Sequence, residues 1–141
     1  KSIPLDSDSV DEIYTSHTLE HFEFKKIIFI LQECERILKR GGKLKVCVPN
    51  AKLYIDSYVQ KKIFEKKKKW YGPGVTNTGS LIDQLNYIAY LNGQHKFLFD
   101  QENLINILKK SGFKKVSLRN FDKNLDLKER DYESIYALAI K

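Results

Sequence analysis

The sequence predicts an α/β fold, a mostly parallel sheet with helices on both faces, and three observations carry that prediction. Residues 6–50 pass from a short apolar run to a helical stripe and back to an apolar run, the pattern of one parallel strand–helix–strand unit. Residues 100–112 hold a second helix with a clear start and stop. Residues 134–140 are apolar on both alternations, as in a strand covered on both faces. With 141 residues, 42% hydrophobic and 30% charged, the chain suits a single domain that buries its own core.

Taken in order, residues 1–9 form an extended entry, because Pro4 biases Ile3 away from helix and the Asp6, Ser7, Asp8, Ser9 cluster favours a turn. Val10, Ile13 and Tyr14 make the first strand. The polar segment from Ser16 to His21 follows it, where the carboxyl end of a parallel strand opens into a crevice. Ile27, Leu31, Cys34 and Leu38 share one helical face, while Glu33, Glu35, Arg36, Lys39 and Arg40 point elsewhere. Gly41-Gly42 is expected to close this helix, with Lys39 and Arg40 against the negative end of its dipole. The next strand runs from Leu44 to Val48 and stops at Pro49, which has no N–H to offer a ladder.

Residues 51–70 read as a ragged helix with Ile55, Val59 and Ile63 on one side and Tyr54, Tyr58 and Lys62 near another, leading to the lysine run Lys66 to Lys69. Leu81, Leu85, Ile88 and Ala89 form a second stripe, flanked by Tyr87 and Tyr90 and stopped by Gly93. Asp100 is the N-cap of the next helix, which faces the core through Leu104, Ile105 and Leu108 and ends at Ser111-Gly112. A strand over 114–121 and a charged turn over 124–131 precede the last strand.

The order and spacing of several short pieces resemble class I S-adenosylmethionine-dependent methyltransferases, and more narrowly a small bacterial group of type 11-like predicted methyltransferases. The pieces are Ile3-Pro4-Leu5, Asp11 to Tyr14, Leu19 to His21, Glu33 to Gly42 and Val48-Pro49, and Gln94 to Lys96 with the helix ending in Gly112-Phe113 extends the likeness. The resemblance implies a partial Rossmann-like methyltransferase fold. Its four strands would be the carboxyl-terminal half of the domain, the last one antiparallel and inserted between its two predecessors. It implies S-adenosylmethionine as cofactor, contacted by Leu5, Ser16, His17, Thr18 and Leu19. In that family a Gly-rich loop and two acidic residues lie upstream of the segment matched at Lys1, and no G-x-G motif here replaces them. The cofactor site is therefore expected to be incomplete in this chain, and the chain inactive alone. Residues 51–95 are expected to form a helical lid over a substrate pocket, with Tyr54, Trp70, Tyr71, Tyr87 and His95 as its lining.

A methyl transfer needs orientation, plus a base where the acceptor loses a proton; His17, His21 and His95 are the candidates. His17, Glu20 and His21 also match H-x-x-E-H, a zinc-peptidase pattern that requires all five residues on one helix and a distant third ligand, for which Glu102 is the candidate. The favoured expectation is no metal. Two other readings stand beside methyl transfer: a zinc hydrolase, and a half-domain that works by association. For association, the strand from Asp11 to Thr15 would offer a bare edge to a second copy. The net charge of +7 and the lysine run beside Trp70 and Tyr71 would offer nucleic acid phosphates and stacking rings. Cys34 and Cys47 match neither a disulfide framework nor a metal spacing and read as core hydrophobes. No apolar run approaches the ~20 residues that span a bilayer, and the expected location is cytoplasmic.

Overall fold

The computed structural model describes residues 2–64 and 78–141. Among the described residues four strands form one sheet in the order β1-β2-β4-β3, with β1 at Val10–Ser16, β2 at Leu38–Pro49, β3 at Lys115–Leu118 and β4 at Ser134–Ile140. β1 and β2 are parallel, and β4 runs antiparallel to both β2 and β3. The last strand thus lies between its two predecessors, as the resemblance implied.

Side-chain alternation sorts the sheet. Leu44, Val46 and Val48 of β2 and Ile135, Ala137 and Ala139 of β4 point to one face, where they meet Ile27, Leu31 and Cys34 of α1 (Phe24–Ile37) and Leu104, Ile107 and Leu108 of α4 (Gln101–Lys110). All twelve are buried, so this face is the main core. The other face carries Tyr14, Cys47 and Tyr136, over which Asp126 accepts from the Tyr14 hydroxyl and from both terminal nitrogens of Arg119. Both cysteines are free and buried, and burial pushes the Cys34 thiol up to about 11.

The first helix ends earlier than its stripe predicts. α1 stops at Ile37, Leu38 is already extended, and Lys39 and Arg40 belong to β2 rather than to a last helical turn. Gly41-Gly42 forms a bulge instead of a helix cap: the β1–β2 register jumps from Val10–Leu38 to Glu12–Lys43 there. Gly41 takes a φ of 77°, and a Cβ on Gly42 would lie 2.8 Å from the Lys39 carbonyl oxygen. Glu33 and Arg36 are not idle surface charges either. The Glu33 carboxylate accepts from the Ile3 N–H, and Arg36 donates to the carbonyls of Ile3 and Leu5, so the pair clamps the entry segment onto α1. The Arg36 guanidinium also donates to both Glu33 carboxylate oxygens, and these bonds, with that from the Ile3 N–H, hold the Glu33 carboxyl down at about 2.

Two helical stripes are also corrected. α2 spans Ala51–Val59 and buries Ala51 and Tyr54, leaving Ile55, Val59 and Ile63 exposed. α3 spans Asp83–Tyr90 and buries Gln84, Tyr87 and Ile88, whereas Leu81, Leu85 and Ala89 are half-buried. In α4 it is Ile107, not Ile105, that joins Leu104 and Leu108 in the core; Asp100 caps it as expected, in a reciprocal pair of bonds with Asn103. α2 and α3 pack on each other, and Tyr54, Tyr87 and Ile88 form a second, smaller apolar cluster. Lys66 to Lys69, Trp70 and Tyr71 lie outside the described residues. Among the described residues β1 pairs on one side only, and Asp11 and Glu12 on it are tied to Lys39 and Lys45 at 2.9 Å each. Among the described residues no helix is long and apolar enough to cross a membrane.

Candidate functional site

The site begins where β1 ends. His17 takes a left-handed φ of 46° while its N–H donates to the Cys47 carbonyl, so the chain turns sharply off the strand without leaving the sheet. A short 3-10 turn at Leu19–His21 follows. Leu19 drops into the main core and anchors the turn, and the Glu20 side chain is left buried among polar groups. The Glu20 carbonyl then accepts from the N–H groups of Lys96 and Phe97. This backbone pairing brings residues 94–97 against the turn and sets the His95 ring 5.0 Å from the His21 ring, edge to face.

Around these groups is a cavity of about 510 Å³, lined by His17, Glu20 and His21, by Tyr87, Ile88 and Leu91 of the α3 region, by Gln94 and His95, and by Pro49, Glu129, Arg130 and Glu133. The three candidate histidines and Tyr87 therefore converge on one space. Tyr54 is fully buried beneath it, where its hydroxyl donates to the Glu133 carboxylate. Of the cofactor candidates, only His17 lines this cavity. Ser16 is half-buried at the end of β1, Thr18 is exposed, Leu19 is buried in the core and Leu5 is 50% exposed on the entry segment.

Each histidine is oriented by a bond on its far side. His21 Nδ1 lies 3.0 Å from the Gln94 carbonyl, and His95 Nδ1 lies 2.7 Å from the Ile88 carbonyl. A carbonyl only accepts, so both Nδ1 atoms carry hydrogen and, in the neutral ring, Nε2 holds the lone pair. His17 Nε2 is 2.9 Å from Ser134 Oγ, whose own hydrogen goes to the Arg130 carbonyl at 2.6 Å. His17 therefore donates from Nε2 and keeps its lone pair on Nδ1.

Burial dominates the electrostatics. It holds the His17 imidazole down at about 3, assisted by the Arg130 guanidinium, and it also lowers His95. Burial pushes the Glu20 and Glu133 carboxyls up to about 7, and Arg130 partly opposes both shifts. Sequence reasoning reaches Glu20 only through the H-x-x-E-H match and does not single out Glu133 or Arg130. Glu20 stood between two candidate histidines, which is a signal; nothing local marks Glu133 or Arg130, which reach the cavity from the turn before β4.

The geometry required of H-x-x-E-H is absent. His17 lies off any helix, its ring turns toward Ser134, and Glu102 is exposed on α4 and does not line the cavity. The helical zinc-peptidase arrangement is not the one this segment adopts.

Residues 1–46 match the family model described as a methyltransferase domain. No curated protein matches the sequence. Among solved structures, the chain is similar to an S-adenosylmethionine-dependent methyltransferase from Archaeoglobus fulgidus (16% identity, TM-score 0.56, covering 97% of this chain and 62% of that one). It is similar to a possible histamine N-methyltransferase from Thermotoga maritima (18%, 0.56, 99% and 60%). A structure described as PigF with SAH is also similar (14%, 0.54, 99% and 32%). The chain thus spans less than two thirds of the length of each of these three. By the family match over its first 46 residues and by the sheet order of its described residues, this chain carries part of the class I S-adenosylmethionine-dependent methyltransferase fold.

Proposed function

We propose that this chain takes part in S-adenosylmethionine-dependent methyl transfer and that the cavity at the end of β1 receives the methyl acceptor. The observation that carries the reading is the convergence of His17, His21 and His95 on one 510 Å³ space at the carboxyl end of the parallel pair, where α/β sheets keep their ligands. The cofactor, when bound, supplies an electrophilic methyl carbon for in-line displacement.

The residues at the strand end fit part of that cofactor. Ser16 and Thr18 carry hydroxyls at the end of β1, suited to a polar amino-acid portion, although the Thr18 hydroxyl already donates to the Ser16 carbonyl at 3.0 Å. On the acceptor side, Tyr87, Ile88 and Leu91 supply a largely apolar wall. A neutral imidazole nitrogen of His21 or His95 is placed to take a proton from an acceptor hydroxyl or amine. His17, held neutral by burial and fixed by Ser134, serves to shape the wall.

The test is amide chemical-shift mapping with S-adenosylhomocysteine at millimolar concentration, which registers weak binding as well as tight. The expected result is saturable shifts at Ser16, Thr18 and Leu19. Shifts confined to other surfaces, or none, would overturn the reading.

A further inference from the structure

We propose that Glu20, His21 and His95 form a binding site for a divalent first-row transition-metal cation of the zinc or iron(II) type. One ligand atom from each lies within 4.8 Å of the other two, and the set of two imidazoles and one carboxylate is one that such ions favour, leaving positions open for other ligands.

The surroundings ask for a cation. Glu20 is 2% exposed, and its Oε2 atom accepts no hydrogen bond among the described residues. Its Oε1 atom faces His21 Nε2 at 3.7 Å and His17 Nδ1 at 3.8 Å, beyond hydrogen-bond length. The carbonyls of Gln94 and Ile88 hold the hydrogens of His21 and His95 on Nδ1, and Ser134 holds that of His17 on Nε2. Acceptor atoms are therefore gathered around a carboxylate with no donor between them. One shared proton would satisfy one such contact; a metal ion satisfies the carboxylate and both imidazoles together. The two carbonyl bonds are also the outer contacts that metal-binding histidines ordinarily make, since they fix the tautomer and the ring orientation.

The size is right. Tetrahedral bonds of about 2.1 Å put ligand atoms roughly 3.4 Å apart, so small rotations of the three side chains from their present separation close the site. His17 is no ligand in this arrangement, because its ring is held by Ser134. The likeness of residues 17–21 to H-x-x-E-H thus names two of the right residues for a different reason, and the third ligand, His95, comes from a segment that motif does not include. Because the cavity borders the cluster, the open positions of the ion face its occupant. On the methyl-transfer reading, on which this clause alone rests, they would hold an oxygen or nitrogen of the acceptor, and polarisation by the ion would then replace proton removal by the His21 or His95 lone pair.

The experiment is titration of the chelator-treated protein with Co²⁺, followed by visible absorption, and with Zn²⁺, followed by equilibrium dialysis and elemental analysis. One equivalent is expected, with ligand-field bands for Co²⁺. His95→Ala and the isosteric Glu20→Gln should each weaken uptake by more than the ~10–100-fold that loss of an outer contact costs, while His17→Ala and Glu102→Ala retain it. Far-UV circular dichroism of each variant secures the fold, and Glu20→Gln serves if His95→Ala does not fold. Failure of the folded wild type to take up one equivalent, or uptake that both His95→Ala and Glu20→Gln leave unchanged, overturns the site. Loss in His17→Ala with retention in His95→Ala overturns it in favour of the H-x-x-E-H ligands. The shift mapping with S-adenosylhomocysteine is independent: shifts without metal uptake would sink the metal site alone, and metal uptake without shifts would sink the methyl-transfer reading alone.

Discussion

The two faces of activity in this molecule are built on opposite rules. Beneath α1 and α4 the main core is apolar throughout, with Ile27, Leu31, Leu44, Val46, Leu104 and Leu108 all fully buried. At the end of β1, only one turn of chain away from Leu19, the cavity buries two carboxylates and an imidazole whose charged forms the surroundings oppose. The core is where contacts are complete, and the cavity is where they are left open. A stable scaffold allows the second because marginal costs at a site are tolerated only when the rest of the structure over-determines it.

The largest effect that tests this contrast is in the core. Leu31→Ala should lower unfolding free energy by about 2–5 kcal/mol, the range for a leucine truncated at a fully buried site, measured by urea denaturation. A loss below about 1 kcal/mol would mean that the core is not as closely packed as its burial indicates.

Next comes the buried carboxylate. Glu133 titrates at about 7 when folded, above its ordinary 4.5, so the folded state holds a proton that the unfolded state has released. Between those values the contribution of this group falls as pH rises, and the loss is complete above about 7. The isosteric Glu133→Gln keeps an acceptor for Tyr54 and carries no such charge. Its stability relative to the native protein should therefore rise by roughly 3 kcal/mol between pH 4.5 and 8, read as the difference between two denaturation series. A difference that stays flat with pH would show that the carboxylate is solvated.

The smallest effect belongs to the surface. The Lys39–Asp11 pair is short, 2.9 Å, but both side chains are well exposed, and Lys39→Ala should change stability by less than about 1 kcal/mol. A larger loss would make this pair part of how the bulge in β2 holds its register.

Much of this was legible in the sequence, and the reasons for the misses are physical. β1, β4 and α4 are bounded by turn chemistry and capping residues that act locally, and the Asp100 cap is an example. The end of α1 was not legible because Leu38 satisfies two patterns at once: it continues the helical stripe and it opens a buried strand. Gly41-Gly42 likewise suits a helix cap or a bulge, and only the pairing with β1 decides. The sequence puts Tyr54 among the pocket residues, yet it is buried in the packing of α2, where its hydroxyl meets a carboxylate 79 residues away. In the site, the three histidines stood out by residue type. The orphaned oxygen of Glu20 did not, since it depends on what neighbours fail to donate.

The position of β4 has a consequence for synthesis of the chain. Among the described residues β3 pairs with β4 alone, and β4 follows it by a turn and a 3-10 segment. As the polypeptide emerges from the ribosome, β3 has no place in the sheet until β4 has been made and inserted beside β2. The edge of β2 is exposed during the same interval, so the nascent chain passes through a stage in which two unpaired strand edges await one segment, and it is then that a holding chaperone would matter most.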